Sequence, residues 1–186
     1  MSNNKSKKAI DMKIILLGNA QVGKTTLLLK YLQGEFIVNI DANYAGVNLF
    51  RKNIELNDQN ESKKLSYTLN IWDIAGYERF KDYFSLLANP IDAVIILVSN
   101  DSHDFIDQSI NIWINTIGKY LPSNIMKYLF IVKRAEIELS DFLVSELLKK
   151  YTIKDYFLFD IQKTDEVNGM FEKVITNIIS NRNSAQ

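Results

Sequence analysis

The chain has 186 residues, 47% apolar and 24% charged, with 22 basic residues against 22 acidic ones. That length accommodates one domain with a full core, and the balanced charge gives no dominant surface for nucleic acid or anionic membrane. There is no cysteine, which excludes disulfides, thiolate metal sites and cysteine-borne lipid on these residues and fits a reducing, cytoplasmic setting.

Residues 1–9 are polar and basic and read as a flexible tail without an apolar signal core. No apolar run approaches the ~20 residues of a membrane-spanning helix. Met12 to Leu17 is a nearly continuous apolar run, as expected of a central parallel strand. Gly18-Asn19-Ala20-Gln21-Val22-Gly23-Lys24-Thr25 follows and fits G-x-x-x-x-G-K-[ST]. Thr26 to Tyr31 then reads as a helix, so the motif sits on a strand-to-helix turn. The residue types suit phosphate. Gly18 and Gly23 let the backbone turn its N–H groups inward as an anion-binding nest. The helix N-terminus adds positive potential. Lys24 supplies a point charge to the outer phosphates, and the Thr25 hydroxyl suits Mg²⁺.

Residues 34–46 lack periodicity and read as a loop. Val47 to Leu56 and Leu65 to Trp72 look like a hairpin around the polar turn 57–62. Asp73-Ile74-Ala75-Gly76 comes directly after the second of these strands. An aspartate at a strand's carboxyl end can hold the hydration shell of Mg²⁺, and Gly76 can bring its N–H to a γ-phosphate. Residues 77–89 lead through a mobile stretch and a short helix to Pro90. Ala93 to Val98 is a buried strand. Phe105, Ser109, Ile112, Trp113, Thr116, Ile117 and Tyr120 form a helical stripe. Tyr128 to Val132 is a strand, Ser140 caps a helix through Lys150, and Tyr156 to Phe159 is the last strand. Thr164-Asp165 caps a final helix with Val167, Phe171, Val174, Ile175, Ile178 and Ile179 on its inner face. Strands alternating with helices predict an α/β domain with a mostly parallel sheet.

Gly18 to Thr25 and Trp72-Asp73-Ile74-Ala75-Gly76-Tyr77-Glu78-Arg79-Phe80 together resemble the small GTPases, most of all the Rab branch with its W-D-T-A-G-Q-E-R-F/Y segment. The resemblance runs from about residue 10 to 180. It implies a three-layer P-loop NTPase G domain over residues 10–181: a six-stranded, mostly parallel sheet with one antiparallel strand, flanked by about five helices, with a tail at 182–186. It implies GTP and GDP binding with Mg²⁺, slow hydrolysis, and effector or regulatory partners reading surfaces 36–50 and 74–88. Residues Gly18, Asn19, Ala20, Gln21, Val22, Gly23, Lys24, Thr25 and Thr26 would then hold the phosphates, and Thr25 and Asp73 the metal. Gly76 would sense the γ-phosphate. Phe36 would pack against the base or anchor its loop in the core. Trp72 with Phe50 and Phe80 resembles an aromatic effector patch, which switch packing explains as well.

The departures fall on chemistry. Tyr77 stands where the family positions water with a glutamine, and tyrosine has no amide to donate and accept at once. Asn43-Tyr44-Ala45 stands where a Mg²⁺-binding threonine closes the first switch, and residues 34–46 hold no serine or threonine. The base-reading N-K-x-D becomes Val132-Lys133-Arg134-Ala135, in which only Lys133 is kept, to pack its stem along the base. Loss of the aspartate removes a charged acceptor worth about 2–4 kcal/mol. The S-A-K motif becomes Asp160-Ile161-Gln162. Asp160, or Glu136 just past Ala135, is a replacement acceptor; the alternative is that both are merely solvated. An altered GTPase switch in vesicle trafficking or signalling is the first reading, and a pseudo-GTPase interaction module is the second. Since the sequence ends Ser184-Ala185-Gln186, membrane recruitment is expected through a partner or a further segment.

Overall fold

A computed structural model describes residues 9–32, 37–38, 47–57, 64–74, 90–135 and 138–184. Its strands are β1 (Ile10–Gly18), β2 (Ile37–Val38), β3 (Val47–Asn57), β4 (Lys64–Ile74), β5 (Ala93–Ser99), β6 (Met126–Val132) and β7 (Asp155–Phe159). They form one sheet in the order β2-β3-β4-β1-β5-β6-β7. Six of them are of full length and β2 is a two-residue edge. The β3–β4 hairpin is antiparallel, and β3 is the strand that runs against its neighbours; β4, β1, β5, β6 and β7 are mutually parallel. The helices among the described residues are α1 (Lys24–Leu32), α2 (His103–Ile117), α3 (Asp141–Tyr151) and α4 (Thr164–Ser184). The expected helix between residues 77 and 89 lies outside the described residues.

The apolar runs of β1 and β5 follow from helices on both sheet faces. Successive residues point to opposite faces. Thus Ile14, Leu16, Ile95 and Leu97 meet α1 and α4, while Ile15, Leu17, Val94 and Ile96 meet α2 and α3. In the first layer Tyr31 of α1 stacks on Phe171 of α4, with ring centroids 4.0 Å apart, and Phe130 of β6 meets Phe171 edge-on at 5.6 Å. In the second layer Trp113 is fully buried among Ile106, Ile110 and Ile117.

Three local expectations change. On α2 the period is as read and Ser109, Trp113 and Ile117 are buried as expected, but one edge of the buried face differs. Ile106 and Ile110 enter the core, while Phe105 and Ile112 stay 37% and 42% exposed. The first main-chain bond of α4 runs from Val167 N–H to the Lys163 carbonyl, so Lys163 takes the cap position rather than Thr164-Asp165. The boundary expected at residue 181 falls inside α4, which continues to Ser184. There Arg182 grips Asp92 through Nε and Nη2, both at 2.8 Å. Ser140 caps α3 as expected, accepting from Leu143 N–H at 3.3 Å. No helix among the described residues is long and apolar enough to cross a membrane.

Phe171→Ala removes a fully buried ring from both aromatic contacts. It is expected to destabilise the domain by about 3–5 kcal/mol, read as a lowered urea midpoint with unchanged slope.

Candidate functional site

The motif loop leaves the sheet at its carboxyl edge, between β1 and α1. Gly18 ends β1 opposite Leu97 of β5. A Cβ on Gly18 would collide with the Leu97 carbonyl oxygen and come within 3.0 Å of Val22 Cγ1. Space therefore dictates glycine there. At Gly23 the demand is conformational: φ is +103°, and a Cβ would find only ordinary contact with Ile161 at 3.6 Å. Gln21 also has a left-handed backbone, with φ +61°. Within the loop Val22 N–H donates to the Asn19 carbonyl at 3.3 Å, and left-handed residues of this kind occur in backbone nests that bind anions.

Lys24 is 7% exposed. Its ammonium donates to the carbonyls of Gly18 at 2.8 Å and Asn19 at 3.2 Å. Three N–H donors are available, so one remains for a phosphate oxygen. Burial pushes its pKa below the usual lysine value, and attraction to Asp73 opposes that shift.

Asp73 lies near the end of β4, paired with Leu16 of β1, and is 3% exposed. Its Oδ2 accepts from the Thr25 hydroxyl at 2.7 Å. Its Oδ1 is buried without a partner among the described residues. An orphaned carboxylate oxygen is costly, and a hydrated divalent cation supplies the missing donors. Thr25 and Asp73 thus fit Mg²⁺, which keeps waters and phosphate oxygens in its shell rather than an all-protein cage. No cluster of three His, Cys, Asp or Glu side chains placed to hold a metal occurs among the described residues.

Two anchors were not legible from the motif. The Asn19 amide donates through Nδ2 to Ser109 Oγ at 2.9 Å and accepts at Oδ1 from Trp113 Nε1 at 3.1 Å. Arg134 Nη2 donates to the Gln21 carbonyl at 2.5 Å. Arg134 is itself held by Asn100, whose Oδ1 accepts from the N–H groups of Arg134 and Ala135 at 2.6 and 3.0 Å. Trp113 read only as core, and nothing in the spacing of Asn100 or Ser109 signals a role. The one available signal was the basic residue beside Lys133.

At the base-reading end the described residues include Lys133, Arg134, Ala135 and Asp160. The side chain of Lys133 is exposed, and its N–H continues the sheet by donating to the Phe159 carbonyl at 2.9 Å. Arg134 is the side chain that reaches the phosphate loop. Asp160 Oδ1 accepts from Gln162 N–H at 2.9 Å, closing a local turn, while Asp160 N–H donates to Glu166. That bond and the Lys163 ammonium hold the Glu166 carboxyl below its usual pKa. Phe50 packs into the α1/α4 layer and Trp72 into the other, so they lie on opposite sheet faces and form no common patch. Leu49, paired with Trp72 across the hairpin, is the residue on its side. Phe36, Tyr44, Gly76, Tyr77, Phe80 and Glu136 lie outside the described residues.

Residues 13–135 match the family described as the Ras of Complex, Roc, domain of DAPkinase. The chain is 31% identical over 173 residues to Ras-related protein Rab-5B of Plasmodium falciparum, covering 91% of this chain and 78% of that protein. The chain belongs to the small GTPase superfamily, in its Rab-like branch. It is also similar to Ras-related protein Rab-7b of Mus musculus, with 28% identity over 166 residues, 87% of this chain and 78% of that one.

Lys24→Ala deletes a charge-assisted bond of about 1.5–3 kcal/mol. It is expected to weaken binding of a fluorescent guanine nucleotide about 10- to 100-fold in equilibrium titration, with the melting temperature of the nucleotide-free protein little changed.

Proposed function

We propose that the chain is an atypical Rab-like switch that binds GTP and GDP with Mg²⁺ and hydrolyses GTP slowly. The observation that carries this reading is the Thr25–Asp73 bond, with Asp73 Oδ1 buried and unpartnered among the described residues. Mg²⁺, when bound, would offset phosphate charge. The chain's own residues do the rest. Loop N–H groups cradle the phosphates, Lys24 gives its remaining N–H to them, and Thr25 and Asp73 orient the hydrated metal. Thr26 at the start of α1 and Gly76 after β4 are assigned to the α- and γ-phosphates, respectively.

Hydrolysis is slow because Tyr77 cannot position water as a glutamine amide does. The first switch closes weakly because Asn43-Tyr44-Ala45 brings no threonine to the metal. For the base, the contact of Arg134 with the loop favours counting the motif as Lys133-Arg134-Ala135-Glu136. Glu136 then takes the place of the lost aspartate, and Asp160, already bonded within its own turn, is the weaker candidate. Effector and regulatory proteins would read surfaces 36–50 and 74–88, in vesicle trafficking or signalling. The chain would work in the cytoplasm, recruited to membranes through a partner or a further segment.

The deciding measurement is the nucleotide released from purified, denatured protein, resolved by chromatography. About one GDP or GTP per chain is expected. An empty protein without Mg²⁺-dependent uptake would instead favour an interaction module, and preferential ATP uptake would place the chain outside guanine recognition. Three substitutions refine the reading. Glu136→Gln is expected to lower GTP affinity about tenfold or more and narrow its margin over ATP, while Asp160→Ala has the smaller effect. Tyr77→Gln is expected to raise single-turnover phosphate release; an unchanged rate would shift the defect to the first switch.

A further inference from the structure

The second residue of the phosphate loop carries a side chain that the motif does not require. Asn19 occupies a position where G-x-x-x-x-G-K-T accepts any residue. Its carboxamide is nonetheless used at both ends, by Ser109 Oγ at 2.9 Å and Trp113 Nε1 at 3.1 Å. Ser109 and Trp113 stand four positions apart on α2, hence on one helix face. They are 2% and 0% exposed. The same residue's carbonyl accepts from Lys24 Nζ at 3.2 Å and from Val22 N–H at 3.3 Å. Asn19 therefore joins three things: the loop's own turn, the lysine assigned to phosphate, and a helix more than 80 residues along the chain.

Cutting this link removes hydrogen bonds between buried groups. Removing the Asn19 amide takes away the acceptor that Trp113 Nε1 uses and the donor that Ser109 Oγ uses, which is costly. The cheapest relief is a small shift of either α2 or the loop, and the loop is the less packed of the two. Phe105 and Ile112 flank this face of α2 and stay 37% and 42% exposed.

We infer that Asn19 is a positioning residue that ties the phosphate loop to α2, so that the placement of α2 sets how long nucleotide stays bound. The inference rests on nucleotide binding at this loop, as proposed above.

The test compares release of a fluorescent GDP from wild type, Asn19→Ala, Ser109→Ala and Trp113→Phe by stopped flow, with urea midpoints measured in parallel. Asn19→Ala is expected to speed release about tenfold, and Ser109→Ala and Trp113→Phe several-fold. Adding Trp113→Phe to Asn19→Ala is expected to give little further increase, since both cut the same link. Additive effects, or wild-type release rates in variants whose midpoints fall, would reduce the link to a purely structural role and overturn the inference. Should Asn19→Ala fail to fold, Ser109→Ala removes one oxygen and decides alone. A second readout uses the fact that the chain has two tryptophans: in Trp72→Phe protein, Trp113 emission is expected to change when nucleotide leaves, and a silent signal would argue against the tie. A wild type that takes up no nucleotide would fail the functional reading and this one together; a wild type that loads while the variants match it would fail this one alone.

Discussion

The close approach of Gly18 to the Leu97 carbonyl sets the position of everything at the carboxyl edge of the sheet. Two parallel strands run side by side, buried on both faces. The chain must leave one of them without pushing the other away, and only a residue lacking Cβ permits this. From that point the loop turns through Gln21 and Gly23 and delivers Lys24 to the start of α1. Asp73 arrives on the other flank of β1 by the same parallel pairing. The carboxylate of Asp73 is thus fixed by sheet register and the cation of Lys24 by its bonds to the Gly18 and Asn19 carbonyls, and both are buried deeply enough to feel each other.

Much of this was legible because it is periodic or local. Alternating strand faces, the Gly-Lys-Thr turn and the Ser140 cap each involve residues close in sequence, where spacing alone fixes the geometry. The final helix was legible down to its inner face, since Val167, Phe171, Val174 and Ile178 recur at helical spacing. The reading failed where two periodic patterns compete. On α2 apolar residues occur on more than one side, and packing against β5 and β1 selects Ile106 and Ile110 over Phe105 and Ile112. On β3 a shift of one residue reverses the face, which is why Phe50 faces the α1/α4 layer and Leu49 keeps company with Trp72.

The site's supporting contacts were illegible for a different reason. Asn19 and Trp113, Gln21 and Arg134, and Asn100 and Ala135 meet across 94, 113 and 35 positions of chain. No local rule relates such pairs. They also use ordinary polar residues whose types carry no chemical signature. Beside Lys133, Arg134 places a forked donor on the main chain of the phosphate loop, at the Gln21 carbonyl.

Arg182 has a consequence at the other end of the molecule. Besides Asp92, it donates to the Asp11 carbonyl at 2.8 Å, so the last turns of α4 and the first residues of β1 are fastened side by side. The nine residues of β1, rising about 3.3 Å each, put the phosphate loop roughly 26 Å away at the opposite pole. The domain is therefore polar in the manner of a lamp on a stand. A segment joined to the start of β1 or to the end of α4 would therefore hold the domain at one pole and leave the phosphate loop at the other.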